Sequence, residues 1–145
     1  MTVTDEVRAE REALVREHME SENRRDFEAT MATFAHPRYE LIATGEVHDG
    51  EEAVRAYYAS SRSTFNDQRN EVIALQHTDD GVWVEFDLLG THTGALGPFV
   101  ATGKEFRCRM AALFLFADDP TSGALITCER VYFDSGTILR QLGLR

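Results

Sequence analysis

The chain has 145 residues, 43% hydrophobic and 28% charged, which fits one domain with a sizeable core and leaves no apolar run near the roughly 20 residues of a membrane helix. A formal net charge of −10 repels phosphate backbones and argues against nucleic acid as a partner. The charged N-terminal segment lacks the apolar middle of a secretory signal, so the expected location is the cytoplasm.

From Asp5 to Arg25 charge dominates. Val7, Leu14 and Met19 leave a sparse apolar stripe, and Glu12 with Arg16 and Glu20 with Arg24 are i,i+4 pairs. This predicts an exposed helix, residues 1–24, on the outside of the same domain as residues 25–145 and part of it. Asp26 caps a second short helix, where Phe27, Met31 and Phe34 share one face. Pro37 ends it, because its ring excludes helical geometry at His36.

Arg38–Thr44 reads as a strand. Asp49 and Glu52 form a capping-box-like start for a helix carrying Val54, Tyr57, Tyr58, Ser61 and Phe65 on one inward face. Further strands are expected at Glu71–Leu75, Val82–Leu88, Lys104–Phe116 and Ala124–Phe133. In the second of these, Val82, Val84, Phe86 and Leu88 alternate with Trp83, Glu85 and Asp87. The turn-rich Ala117–Gly123 joins the last two as a hairpin loop. Asp134 or Ser135 caps a final helix with Ile138, Leu139 and Leu142. Helices segregate from a mainly antiparallel sheet, which is α+β. Strands this long curl, and an aromatic helix laid on the concave side leaves a cavity.

Cys108 and Cys128 lie in apolar strand-like runs without a CxxC neighbour, so they read as small core residues and not as a disulfide. The five His show no metal-ligand spacing. No glycine-rich phosphate loop or nucleophile elbow is present. Neither metal nor cofactor is expected.

Three segments in order carry a family resemblance. They are Gly-Glu-Val-His-Asp-Gly-Glu-Glu-Ala-Val-Arg-Ala-Tyr-Tyr (45–58), Gly90-Thr91-His92-Thr93-Gly94 with Thr102-Gly103-Lys104, and Glu129-Arg130-Val131-Tyr132-Phe133-Asp134 leading to Leu139-Arg140-Gln141-Leu142-Gly143. Together they resemble the nuclear transport factor 2-like superfamily, and within it the SnoaL-like polyketide cyclase group. The resemblance implies a cone-shaped curved sheet with helices packed in its concave face, a pocket inside the cone, and a homodimer formed through the open face of the sheet. It also implies a small apolar molecule as ligand and cofactor-independent proton transfer of the aldol cyclase or isomerase type. A non-catalytic binding or dimerisation module of the same fold is the alternative. The acids of such relatives fall at Val131 and Ala112 here, so neither is kept. Of the epoxide hydrolase pattern, only Asp87 matches.

Removing a proton beside a carbonyl needs a base and a donor for the enolate. Glu129, Val131 and Phe133 share one face of the last strand. The candidate acids and bases are Glu129, Glu85, Asp87, His92 and Asp134, with Glu85 and Glu129 expected across the sheet from one another. The other reading of these carboxylates is pairing with Arg107, Arg109 or Arg130; of Asp134, helix capping; and of His92, a loop histidine satisfied by backbone groups. The expected pocket lining is Tyr39, Tyr57, Tyr58, Trp83, Met110, Val131 and Phe133.

Overall fold

Alternation along the long strands decides which side of the sheet is dry. The computed structural model describes residues 3–117 and 125–145, so most of the expected hairpin loop, Asp118–Gly123, lies outside the described residues. The helices are α1 (Asp5–Arg24), α2 (Phe27–Ala32), α3 (Glu51–Thr64) and α4 (Ser135–Gln141). The strands are β1 (Arg38–Leu41), β2 (Glu46–Asp49), β3 (Arg69–His77), β4 (Gly81–Thr91), β5 (Glu105–Phe116) and β6 (Ile126–Tyr132). They form one curved, unclosed six-stranded sheet in the order β2-β1-β6-β5-β4-β3, with β1 and β6 parallel and the other pairs antiparallel.

On β4, Val82, Val84 and Phe86 are buried in the core. On β5, Phe106, Cys108, Met110, Ala112, Phe114 and Phe116 do the same. Both cysteines are buried and free. The opposite face is charged. There Asp87 receives Arg109 Nε at 2.7 Å and Arg107 Nη1 at 2.8 Å, while Glu85 pairs with Arg109 at 3.2 Å. Trp83 lies on this face too, against Tyr132 with ring centroids 5.6 Å apart. Glu85 is in register with Ala111, which pairs with Tyr132 and not with Glu129. The expectation that Glu85, Asp87 and Trp83 line the cone is therefore corrected: period-two alternation turns all three away from it.

The expected outside helix is corrected as well. α1 buries Arg11, Val15, His18, Met19 and Glu22 against the sheet. These positions recur at helical spacing, but three of the five are polar, so the buried face does not read as apolar. Asn23 clasps the backbone of Asn70 on β3, accepting from its N–H at 2.8 Å and donating to its carbonyl at 3.0 Å. Arg11 spans to the Asp79 carbonyl and lies over the Phe116 ring.

The segment after β1 forms a short strand, β2, that the sequence reading did not separate. Asp49 ends β2 and bonds His36 and Arg38, so it does not cap α3. The N-cap is Gly50, whose φ of +90° suits glycine. At the other end of α3, the N–H groups of Thr93 and Gly94 both donate to the Thr64 carbonyl at 3.0 Å. A Cβ on Gly94 would collide with the Ser63 carbonyl, so this contact tethers the 91–104 loop to the helix end. No helix among the described residues is long and apolar enough to cross a membrane.

If α1 is part of the core, Val15→Ala should lower the unfolding free energy by roughly 2 kcal/mol through the cavity it leaves. Glu10→Ala on the exposed side should change it by less than about 0.5 kcal/mol. Urea unfolding of both variants measures this; equal, negligible effects would mean that α1 is peripheral.

Candidate active site

The concave side holds two adjoining spaces. The larger, about 880 Å³, is lined mainly by apolar groups from α3, β4–β6, α4 and the 96–99 turn, among them Leu96, Phe106, Phe133 and Ile138. The smaller, about 40 Å³, lies deeper and is bordered by Glu22, Tyr39, Arg62, Asn70 and Glu129. Tyr57, Gln68, Leu88, Met110 and Val131 line both and form the neck between them.

At the inner end α1 meets β6. His18 is 0% exposed and Glu129 4%. His18 Nε2 donates to Glu129 Oε1 at 2.8 Å, and Glu22 Oε1 lies 3.3 Å from the same nitrogen. The other ring nitrogen, Nδ1, lies 2.8 Å from Thr33 Oγ1. That hydroxyl donates to the Thr30 carbonyl at 2.6 Å, so its oxygen accepts from Nδ1–H. With Glu129 ionised, both ring nitrogens act as donors, which is the imidazolium form. Phe34 and Phe114 stand edge-on to the ring, with centroids 5.2 and 5.1 Å away.

Burial alone would push the His18 pKa down. The hydrogen bonds and charges of Glu129 and Glu22 outweigh it and raise the value to about 9. The two carboxylates diverge. Burial pushes Glu129 above the ordinary carboxylate range, and the His18 hydrogen bond offsets this only in part. Burial acts on Glu22 too, but its contacts with His18 and with the Arg62 guanidinium win and hold it below that range. Arg62 Nη2 is 3.5 Å from Glu22, and its guanidinium lies over the rings of Phe27 and Tyr58. An ionised Glu22 beside a proton-poised Glu129 is the kind of split that separates acid from base.

Tyr39 joins the cluster through parallel β1–β6 pairing, which sets it opposite Glu129. Its hydroxyl lies 3.2 Å from His18 Nε2 and 2.7 Å from the Tyr58 hydroxyl. Tyr57 stacks on His48 at 4.5 Å, and its hydroxyl makes no hydrogen bond among the described residues. Glu129 Oε2 is also without a partner there. One donor atom each from His18, Glu22 and Glu129 lies within 4.8 Å of the others, so these three could hold a cation in place of the shared proton. Spacing could not show this set, because Glu129 is 111 residues from His18.

Of the expected residues, Glu129, Tyr39, Tyr57, Val131, Met110 and Phe133 line these spaces. Tyr58 is packed behind Tyr39, stacked on Phe27 at 4.6 Å. His92 is not at a mouth. It is fully buried under the 91–104 loop, and its Nδ1 accepts from the Thr102 N–H at 3.2 Å. Asp134 caps α4 through the Gly136 N–H and Thr137, with a pKa lowered first by the Thr137 hydrogen bond. Asp87 is held low by Arg109 and Arg107 and makes a poor base. The sequence reading missed His18, Glu22, Arg62 and Gln68. The one signal for the first two is their i,i+4 spacing on the face shared by Val15 and Met19.

The family model for the SnoaL-like domain matches residues 15–120. Solved structures of similar shape include a candidate SnoaL-like polyketide cyclase from a Jannaschia species, with TM-score 0.82, 16% identity, and 100% of this chain and 99% of that one covered. IdmH, a candidate polyketide cyclase from Streptomyces antibioticus, aligns with TM-score 0.76 and 22% identity over 91% of this chain and 97% of that one. A protein of ketosteroid isomerase-like fold from Catenulispora acidiphila, in complex with trimethylamine, aligns with TM-score 0.74 and 22% identity over 91% and 93%. At these identities the likeness is one of fold. None of the curated protein sequences matches the chain.

The raised His18 value has a definite sign in stability. Its contribution is complete below the ordinary imidazole value near 6.5 and is lost as pH climbs toward about 9. Urea unfolding from pH 6 to 9.5 should show a decline of up to about 3 kcal/mol that His18→Gln removes. A slope unchanged by the substitution would contradict the buried imidazolium.

Proposed function

Because the chain belongs to the SnoaL-like domain family, we propose that it transfers a proton next to the carbonyl of a small apolar molecule, as an aldol cyclase or isomerase does, without a cofactor. The observation that carries this reading is Glu129: a buried carboxylate with a raised pKa, bonded through one oxygen and bordering the inner chamber with the other unpartnered. In this reading the apolar body of the substrate fills the large chamber. Its carbonyl end enters the neck, and Glu129 Oε2 takes the α-proton. The Tyr57 hydroxyl donates to the oxygen as negative charge develops there. His18 touches no substrate; it is a positioning residue that fixes Glu129 and supplies positive charge behind it. His18 and, after it, Arg62 favour the ionised form of Glu22, so in this reading the proton that moves belongs to Glu129.

The family's dimer belongs to the same proposal. The open face carries exposed Ile73 and Tyr132 beside Trp83 and the Arg–carboxylate pairs, and a second copy would cover it. Size-exclusion chromatography should give about twice the 16.4 kDa of the chain, and elution as a monomer would remove that part.

The chemistry is tested with 1-tetralone in D₂O, following loss of the α-proton signal by NMR. The protein should accelerate exchange, and Glu129→Gln should cut that acceleration by about 100-fold or more. Glu85→Gln, on the other face, should leave it unchanged. Undiminished exchange in Glu129→Gln would remove the base assignment. No exchange above buffer, with a melting temperature raised by the ketone, would make the cavity a binding site alone.

A further inference from the structure

Gln68 is the last residue before β3, in the turn that follows α3, and its own N–H is satisfied by the Phe65 carbonyl at 3.1 Å. Its side chain points where few amides go. Gln68 is 8% exposed and lines both the apolar chamber and the inner one. Yet its carboxamide gives and takes no hydrogen bond among the described residues. The amide atoms are not sealed off as Arg62 Nε and His92 Nε2 are; they open onto the cavity, where water or a ligand can meet them. The neighbouring Asn70 shows the usual outcome, since its amide donates to the Met19 carbonyl at 3.0 Å. Gln68 retains its free amide at the one place where the cavity narrows, opposite Leu88, Met110 and Val131, which offer nothing to bond.

We propose that the Gln68 carboxamide is the site's second donor to a ligand oxygen. Its NH₂ group and the Tyr57 hydroxyl bracket a carbonyl at the neck, and the adjacent carbon is turned toward Glu129. This rests on the proton-transfer reading for its catalytic sense and on the cavity alone for its binding sense. Two donors on one oxygen select a ketone or other carbonyl over a hydrocarbon of the same shape. An amide is suited to the task, because it stays neutral beside Glu22, Arg62 and the His18–Glu129 pair and does not disturb their charges. Gln68 is thereby the residue that sets how far an apolar ligand enters: its oxygen stops at the neck, and only the α-carbon side reaches the inner chamber.

The test compares 1-tetralone with 1-methylene-tetralin, in which CH₂ replaces the oxygen, by calorimetric titration of the full chain. Wild type should bind the ketone more tightly than the hydrocarbon. Gln68→Met, similar in size and without donors, should weaken ketone binding roughly 3- to 10-fold and leave hydrocarbon binding unchanged. If Gln68→Met lowers the melting temperature, Gln68→Leu, which is also neutral and without donors, should give the same selective loss. Equal weakening of both ligands, no weakening of either, or a wild type without preference for the ketone would overturn the proposal. Selective loss of ketone binding with no α-proton exchange in any variant would keep Gln68 as a carbonyl-binding residue and remove the proton-transfer reading instead.

Discussion

The contact between His18 and Glu129 is the constraint on which the inner half of this molecule depends. Burying a cation and two carboxylates is costly, and their mutual attraction offsets the cost only when hydrogen bonds complete the arrangement. Here Thr33 accepts from one ring nitrogen and Glu129 from the other, while Glu22 adds ion pairs to His18 at 3.3 Å and to Arg62 at 3.5 Å; Arg62 Nε keeps no partner among the described residues. Each partner comes from a different element. α1 must lie against the sheet, α2 must end with Thr33 beneath the ring, and β6 must pair in parallel with β1 to bring Tyr39 alongside Glu129. The α1–β6 contact thus joins the two ends of the chain while fixing the chemistry of the cavity floor.

Val131 on β6 and Ala112 on β5 are buried apolar residues paired across the two strands. Glu129 occupies the same face of β6 two residues earlier, which is about 6.6 Å deeper along the strand. Val131 lines the apolar neck, and Glu129 borders the smaller chamber beyond it. A carboxylate buried there needs a partner, and α1 supplies it as His18. A narrow polar end behind a wide apolar one favours a ligand entering with a single oxygen-bearing edge. Two other carboxylates of the sheet, Glu85 and Asp87, are held by arginines on the far face and belong to its surface chemistry.

The sheet, the aromatic face of α3 and the cap of α4 were legible in the sequence because alternation, helical spacing and Asp134 are local signals. Glu129 was legible from its place beside Val131 and Phe133 on one strand face. Glu85 and Asp87 were misplaced although their own alternation with Val84 and Phe86 already put them opposite the core. His18 and Glu22 stayed hidden for a different reason. Their helix buries Arg11, His18 and Glu22 along with Val15 and Met19, so hydrophobic periodicity does not reveal the buried face. Gln68 was hidden because nothing local marks a turn residue whose amide meets a cavity assembled from distant strands and helices.

The account stands on a buried imidazolium, and ring-nitrogen NMR observes it directly. Long-range ¹H–¹⁵N correlation of His18 at neutral pH should show both nitrogens protonated, and the Nε2 proton signal should move when Glu129 is changed to Gln. A ring with one unprotonated nitrogen at neutral pH would contradict the central claim. It would leave Glu129 without the positive partner on which its placement depends.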